Sequence, residues 1–240
     1  MAKQAKEKEP LTFEYETTSF PDGFVVCGTD EAGRGPLAGP VYAAAVILDT
    51  NEADTEFLSR LDDSKKLTEK KREELETVIK QKAKSYCVAY STVREIEETD
   101  ILSASLHAMR KAIDGLYIDR VSSSEVLHTM DIEEIGGEEI KADAVIVDGN
   151  QSRDFQIPAK AIIGGDGKSF SIAAASILAK VARDRYCTEY LDKTYPEYSF
   201  AKHKGYGTKA HYDAVDKHGL CAEHRRSFFR KYYDAKSKTE

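Results

Sequence analysis

Short runs of β-branched and other apolar residues recur near residues 23–30, 41–49, 85–93, 144–149 and 159–164, and each predicts a strand. The stretches between them keep a helical period. Thr68 precedes a charged, i,i+4-paired run in which Leu75, Val78 and Ile79 share one face, the start of an amphipathic helix. Over 101–115, Leu102, Leu106, Met109 and Ile113 return at three- and four-residue intervals, so this helix packs on a core and carries no site. From about 170 the pattern is again helical, opening on Ala173, Ala174, Ala175 and Ser176, small residues that suit close packing against a sheet. Two hairpins followed by a helix-linked return to further strands describe an α/β domain, a mixed sheet with helices on its faces.

At 240 residues and 41% hydrophobic content the chain buries one substantial core. No apolar stretch approaches membrane-spanning length, and the first ten residues lack the apolar segment of a secretory signal, so a cytoplasmic protein with no membrane partner is expected. Cys27, Cys87, Cys187 and Cys221 are scattered without a C-x-x-C pair, which predicts buried reduced thiols. A net charge of −7 argues against a nucleic-acid partner only until its distribution is read. Seven acids against Lys141 alone crowd Val121–Asp143, whereas Lys202–Lys231 holds eight basic residues to three acidic ones, a surface suited to phosphate. Residues 1–22 read as a polar, mobile arm, and 121–143 as an acidic loop insertion in a single domain spanning 23–240.

The chemistry concentrates in Gly28-Thr-Asp-Glu-Ala-Gly-Arg-Gly-Pro-Leu-Ala-Gly39, where two adjacent carboxylates end an apolar run and a glycine-rich turn follows. Asp30 and Glu31 offer hard oxygen ligands to Mg²⁺ or Mn²⁺, and backbone amides around Gly33 and Gly35 can approach a sugar-phosphate backbone with no Cβ in the way. Taken alone, an Asp-Glu pair before glycines is as readily a solvated turn. A dinucleotide-binding fingerprint also fits the glycines, but it needs a helix to open on them, and here Pro36 and Pro40 lead into the β-type run Val41–Leu48.

The segment resembles the signature of type 2 ribonuclease H (ribonuclease HII). Further blocks follow in that family's order: Asp63-Ser-Lys-Lys-Leu67, Val145-Ile-Val-Asp-Gly-Asn150, Gly164-Gly-Asp166, Ala173–Val181, His203-Lys-Gly-Tyr206 and His224-Arg-Arg-Ser-Phe228, across about residues 24–228. The resemblance implies a ribonuclease H-like mixed five-stranded sheet with the first strand central, flanked by helices, and a C-terminal helical region from about 170. It carries a four-acid metal site onto Asp30, Glu31, Asp148 and Asp166. Asp184 competes for the fourth place, but on a helix starting near Ser169 it would lie roughly 22 Å along the axis, too far to share a metal at the strand ends.

What the resemblance implies is an endoribonuclease, dependent on Mn²⁺ or Mg²⁺, that cuts RNA–DNA hybrids and ribonucleotide-containing duplex DNA on the 5′ side of the ribonucleotide. It places Gly33, Arg34 and Gly35 at the ribose 2′-OH, the group that separates RNA from DNA, and Tyr206 on the sugar of the next deoxynucleotide. Lys65, Lys66, Lys204 and Arg225 are candidate phosphate contacts. Lys180 and Arg183 could face the cleft or water, and the histidines, lacking a metal spacing, stay as polar or phosphate-contact candidates. No clamp-binding tail stands out in Lys231–Glu240, so a monomer is expected. Two alternatives stay open: the related type 3 ribonuclease H, and a non-catalytic module that binds RNA–DNA hybrids.

Overall fold

In the computed structural model, residues 10–52 and 54–236 are described, and every predicted strand forms. They are β1 (Val26–Ala32), β2 (Val41–Ile47), β3 (Ser85–Ser91), β4 (Ile132–Gly137), β5 (Ala144–Asp148) and β6 (Ala159–Ile162), in the sheet order β4-β3-β2-β1-β5-β6. Consecutive strands from β1 to β4 pair antiparallel, while β5 lies parallel to β1 and β6 parallel to β5. β1 is therefore interior, as the resemblance implied. β2 is buried along its whole length, which explains why Val41–Ile47 reads as a continuous apolar run with no alternation.

The helices preceding the C-terminal region are α1 (Glu14–Thr18), α2 (Thr55–Arg60), α3 (Glu69–Lys82), α4 (Val93–Glu98), α5 (Ile101–Gly115), α6 (Ser124–Thr129) and α7 (Phe170–Arg185). Their starts are chemically specified: Thr68, Asp100 and Ser169 each accept backbone N–H groups of the helix they precede. α5 lays Leu106, Met109 and Ala112 on one face of the sheet, against Cys27, Ala43, Ala45 and Val145. α7 and α3 cover the other face, where Ala174, Ile177 and Leu178 meet Tyr42, Ala44, Val46 and Ile79. The approach of α7 to β1 is as close as backbone allows. A Cβ on Gly28 would stand 2.5 Å from the backbone carbon of Ser171, so alanine there forces the helix outward at a cost of about 1–3 kcal/mol.

Two expectations are corrected. The acidic segment 121–143 is no loop: it holds α6 and β4, and β4 extends the sheet from five strands to six by pairing with β3 from Ser85↔Gly137 to Ala89↔Ile132. Its acids have local partners, Asp131 on Lys111, Glu134 on Lys80 and Tyr86, and the Asp143 carboxylate accepting the Val25 N–H. Residues 1–9 of the predicted arm lie outside the described residues, but 10–22 do not hang free. Thr12 bridges to Ser169, and the buried Glu16 carboxylate accepts the Ser169 hydroxyl and the Ser171 N–H at the start of α7. An acid there also meets the positive end of the helix dipole. Among the described residues no helix is long and apolar enough to cross a membrane.

After α7 the chain turns back through short helices around Leu191, Tyr198, Phe200, Val215 and Phe229, which bury Leu37 and Ala38 of the turn after β1. Cys27, Cys87 and Cys187 are buried, and all four cysteines are free thiols. Within this unit His203, His211 and His224 are buried side by side. Their hydrogen bonds dictate one set of neutral tautomers. The Cys221 N–H donates to His224 Nδ1 (2.9 Å), so His224 Nε2 carries the proton and donates to His211 Nε2 (3.0 Å). His211 Nδ1 in turn donates to the Tyr206 carbonyl (3.0 Å). Desolvation holds both His211 and His224 down at about 4.

Because these two histidines are neutral when folded and take up protons near 6.5 when unfolded, their contribution to stability is complete above that value and is lost as pH falls toward 4. The melting temperature should fall over that window, and His211→Gln should lower it at pH 7 but flatten the dependence. Thermal melts at half-unit pH steps test this. Identical slopes for wild type and variant would show that the pair does not titrate as assigned.

Candidate active site

Strand parity decides which acids meet. Alternate residues of β1 face opposite sides of the sheet. Asp30 shares the α7 side with Gly28, while Glu31 shares the α5 side with Cys27. Parallel pairing of Thr29 with Val147 brings the next residues, Asp30 and Asp148, side by side at the strand ends. Asp148 shares its face with Ile146, which packs on Ile172 of α7. Asp166 arrives from a tight helical turn after β6, where the N–H groups of Gly165 (2.6 Å) and Asp166 (3.4 Å) donate to Asp148 Oδ1. Oxygens of Asp30, Asp148 and Asp166 consequently lie within 4.8 Å of one another.

This arrangement is electrostatically unfavourable without a cation. Asp30 is 2% exposed; its Oδ1 accepts the Glu31 N–H (2.7 Å), but Oδ2 is buried with no hydrogen-bond partner. Burial first, then the charges of Glu31, Asp148 and Asp166, raise its carboxyl well above the usual range. Burial also raises Asp166, reinforced by Asp148 and opposed by Lys65, whose Nζ lies 3.3 Å from Oδ2. Glu31 is raised by burial against the pull of Arg34 at 3.5 Å. Three clustered carboxylates, one with an orphaned oxygen, fit a hard divalent cation, which would replace mutual repulsion with ligation.

Beside the acids runs the glycine-rich turn. Gly33 has φ +103°, a conformation that L side chains rarely adopt, and a Cβ on it would strike Arg183 Nε at 2.5 Å. Gly35 faces the Tyr206 ring, 3.6 Å from where its Cβ would be. Tyr206 leaves 43% of its surface open, and the Arg183 guanidinium lies 5.6 Å from its ring centroid. The turn of β1 and the turn of Tyr206 are tied directly by the Leu37 N–H donating to the Gly205 carbonyl (2.8 Å).

The family model for ribonuclease HII matches residues 27–234. The chain belongs to the ribonuclease HII family. A ribonuclease HII of Idiomarina loihiensis is 47% identical over 204 residues, covering 85% of this chain and 95% of that protein. One from Aliivibrio fischeri is 44% identical over 229 residues, 95% of each. Among solved structures, ribonuclease H2 of Pyrococcus horikoshii superposes with a TM-score of 0.57 at 24% identity, over 84% of this chain and 92% of that one, a likeness of fold. Membership makes the chain a metal-dependent endoribonuclease of the ribonuclease H type.

Against this ribonuclease HII fold, the candidate residues separate. Asp30, Asp148 and Asp166 converge; Glu31 stands at the rim on the other side of β1, with Arg34. Arg34, Gly35 and Tyr206 form one exposed surface next to them, Gly33 is buried against Arg183 behind it, and Lys65 reaches Asp166. Lys66 pairs with Asp62 and Asp63, and Lys204 with Glu69 at 3.2 Å. Arg225 requires correction as a phosphate contact: it is wholly buried, and its guanidinium donates to the carbonyls of Gly33, Arg34, Pro36, Gly39 and Pro40. Asp184, the competitor for the fourth acid, is held by Lys180 and Arg72. Arg183 is likewise buried and faces neither cleft nor water. The signal was present, since Ile172, Ser176, Ala179 and Arg183 follow at helical spacing on one stripe of α7.

Neutralising a buried, partner-poor carboxylate removes a repulsion, so Asp30→Asn should raise the melting temperature in EDTA by ~2–4 °C, the effect of about 1 kcal/mol in a domain this size. The same change should abolish the rise that Mn²⁺ produces in wild type. Calorimetry with and without the ion checks both, and a variant that melts lower in EDTA yet keeps its Mn²⁺ response would contradict the assignment.

Proposed function

We propose that the protein hydrolyses the phosphodiester on the 5′ side of a ribonucleotide, in RNA–DNA hybrids and in DNA duplexes with embedded ribonucleotides, leaving 3′-hydroxyl and 5′-phosphate ends. The cellular task that follows is removal of ribonucleotides from DNA. The observation that carries the reading is the placement of three converging carboxylates next to a turn and an exposed aromatic ring that together suit a sugar-phosphate backbone. Relatives at 47% and 44% identity bear the type 2 name, which favours this reading over type 3.

In this proposal Asp30, Asp148 and Asp166 hold Mn²⁺ or Mg²⁺, with Glu31 completing the set from the rim. Divalent cations held by these residues would supply an activated water and stabilisation of the departing oxygen. The protein's own share is positional. The Gly165 and Asp166 N–H groups fix the Asp148 carboxylate, and Lys65, fully ionised beside Asp166, lies where a phosphate would be drawn in. Glycine at 35 lets the chain approach a ribose closely enough to test for its 2′-OH, and glycine at 33 makes room behind the turn for Arg183. The open face of Tyr206 is available to the next sugar, while its other surroundings keep it fixed.

Incubating a duplex that carries one ribonucleotide with the protein and Mn²⁺ or Mg²⁺ should give a single nick 5′ to that residue. Asp30→Asn should reduce the nick below detection while the duplex is still bound. Tyr206→Ala should lower cleavage at the single ribonucleotide by roughly tenfold to a hundredfold, the worth of one lost ring contact, with a smaller loss on continuous hybrid. Full activity in the first variant, or equal losses on both substrates in the second, would count against the reading.

A further inference from the structure

Arg183 and Arg225 are the two largest fully buried side chains, and neither is used by the chemistry above. A buried guanidinium normally meets a carboxylate, because a charge without compensating partners is costly to desolvate. Here Arg225 is compensated by backbone carbonyls, and Arg183 has one distant carboxylate, Asp184 at 3.9 Å, besides carbonyls on its Nη2. Arg225 places Nη2 on the Gly33 carbonyl (2.7 Å), Nη1 on the carbonyls of Arg34 (3.1 Å) and Pro36 (2.9 Å), and Nε on that of Gly39 (2.9 Å). Arg183 joins the two halves of the surface: its Nη2 donates to the Lys204 carbonyl (2.7 Å), just before Gly205 and Tyr206, and more weakly to Ala38 (3.4 Å). It also fills the space under Gly33 and lies against the Tyr206 ring.

The consequence follows from peptide geometry. In a trans peptide the C=O and the following N–H point in opposite directions. Drawing the Gly33 and Arg34 carbonyls inward onto Arg225 therefore turns the N–H groups of Arg34 and Gly35 outward. Neither N–H has an acceptor among the described residues. Two consecutive outward donors form a concavity suited to an oxygen of a ribose or phosphate.

We infer that Arg225 and Arg183 are positioning residues for ribonucleotide recognition: Arg225 aims the Arg34 and Gly35 N–H groups at the sugar-phosphate backbone, and Arg183 sets the distance between that turn and Tyr206. This rests on the functional reading above. Lysine at either position keeps the charge but gathers three donors on one nitrogen where guanidinium spreads five over a planar fork, so it cannot span the five carbonyls Arg225 holds, nor reproduce the flat contact of Arg183 with the Tyr206 ring. A continuous hybrid presents a 2′-OH at every ribose and depends less on one turn, whereas a lone ribonucleotide depends on it wholly.

The test measures kcat and KM of Arg225→Lys and Arg183→Lys on a single-ribonucleotide duplex and on continuous hybrid. The ratio of kcat/KM between the two substrates should fall about tenfold or more, mostly through kcat, as expected of a misplaced contact and not of a lost binding site. The Mn²⁺-induced rise in melting temperature should persist, because the carboxylates are untouched. In ¹⁵N-labelled wild type in EDTA, the Arg34 and Gly35 amide resonances should shift with the single-ribonucleotide duplex and not with all-DNA duplex, and this response should vanish in Arg225→Lys. Should Arg225→Lys fail to fold, Arg183→Lys, which leaves the Arg225 bonds intact, carries the same ratio. An unchanged ratio with equal losses on both substrates would reduce the arginines to structural supports and overturn the inference. A wild type that neither nicks nor shows the differential amide response would sink the functional reading itself.

Discussion

The parallel register between β1 and β5 is the constraint on which the site depends. It sets Asp30 beside Asp148 at the ends of two interior strands, and those side chains repel each other. A loop could relax away from that repulsion; a strand hydrogen-bonded on both sides and packed under α7 cannot. The glycine at 28 lets α7 press directly on the β1 backbone, so the same contact that builds the core also denies Asp30 an escape route. Stability is lost locally so that ligands stand ready for a cation before it arrives, which is preorganisation rather than adaptation.

The second half of the site is held by different physics. The turn after β1 has no regular secondary structure of its own to support it, and its carbonyls would be orphaned when the C-terminal helices cover it. Two arginines and one histidine supply the missing donors, Arg225 and Arg183 for the turn and for Lys204 and His211 for Tyr206, while His203 Nδ1 supplies the acceptor for the Gly205 N–H. The C-terminal region thus completes the backbone hydrogen bonding of a segment far away in sequence. Acid cluster and recognition surface are consequently separable, one governed by charge repulsion across strands and the other by carbonyl satisfaction inside a small aromatic core.

Much of this was legible beforehand. The five strands, the Thr68 cap, the helix start near Ser169 and the 101–115 helix follow from local period and capping chemistry, which act over a few residues. The acids were recognisable because each ends an apolar run or follows glycines, and because the blocks resemble ribonuclease HII in order. β4 was missed because Ile132-Glu-Glu-Ile-Gly-Gly137 offers too few apolar positions to show alternation; an edge strand exposed on one side looks like an acidic loop. Arg225 was misread for a deeper reason. Its partners are main-chain carbonyls more than 180 residues away, and backbone acceptors leave no mark in composition or spacing. The split of Glu31 from the other acids was accessible, since adjacent strand residues always face opposite sides.

The placement of charge resolves how a chain with a net charge of −7 presents a surface to a polyanion. The acid-rich segment became the far edge of the sheet, and β4 is separated from β1 by β3 and β2. Three inter-strand spacings amount to about 14 Å, against a screening length of about 8 Å at physiological ionic strength. Two of its acids, Glu134 and Asp131, are further neutralised by Lys80 and Lys111. At the site Lys65 and Arg34 flank the four carboxylates, and Arg183 and Arg225 lie fixed beneath the turn in a medium that screens poorly, so the local balance turns in favour of a phosphate once the acids hold cations. An approaching phosphate responds to the charges within a screening length of it, and these are the cations of the turn together with whatever ions the carboxylates hold. Total charge therefore governs solubility here, while local charge governs where a nucleic acid would settle.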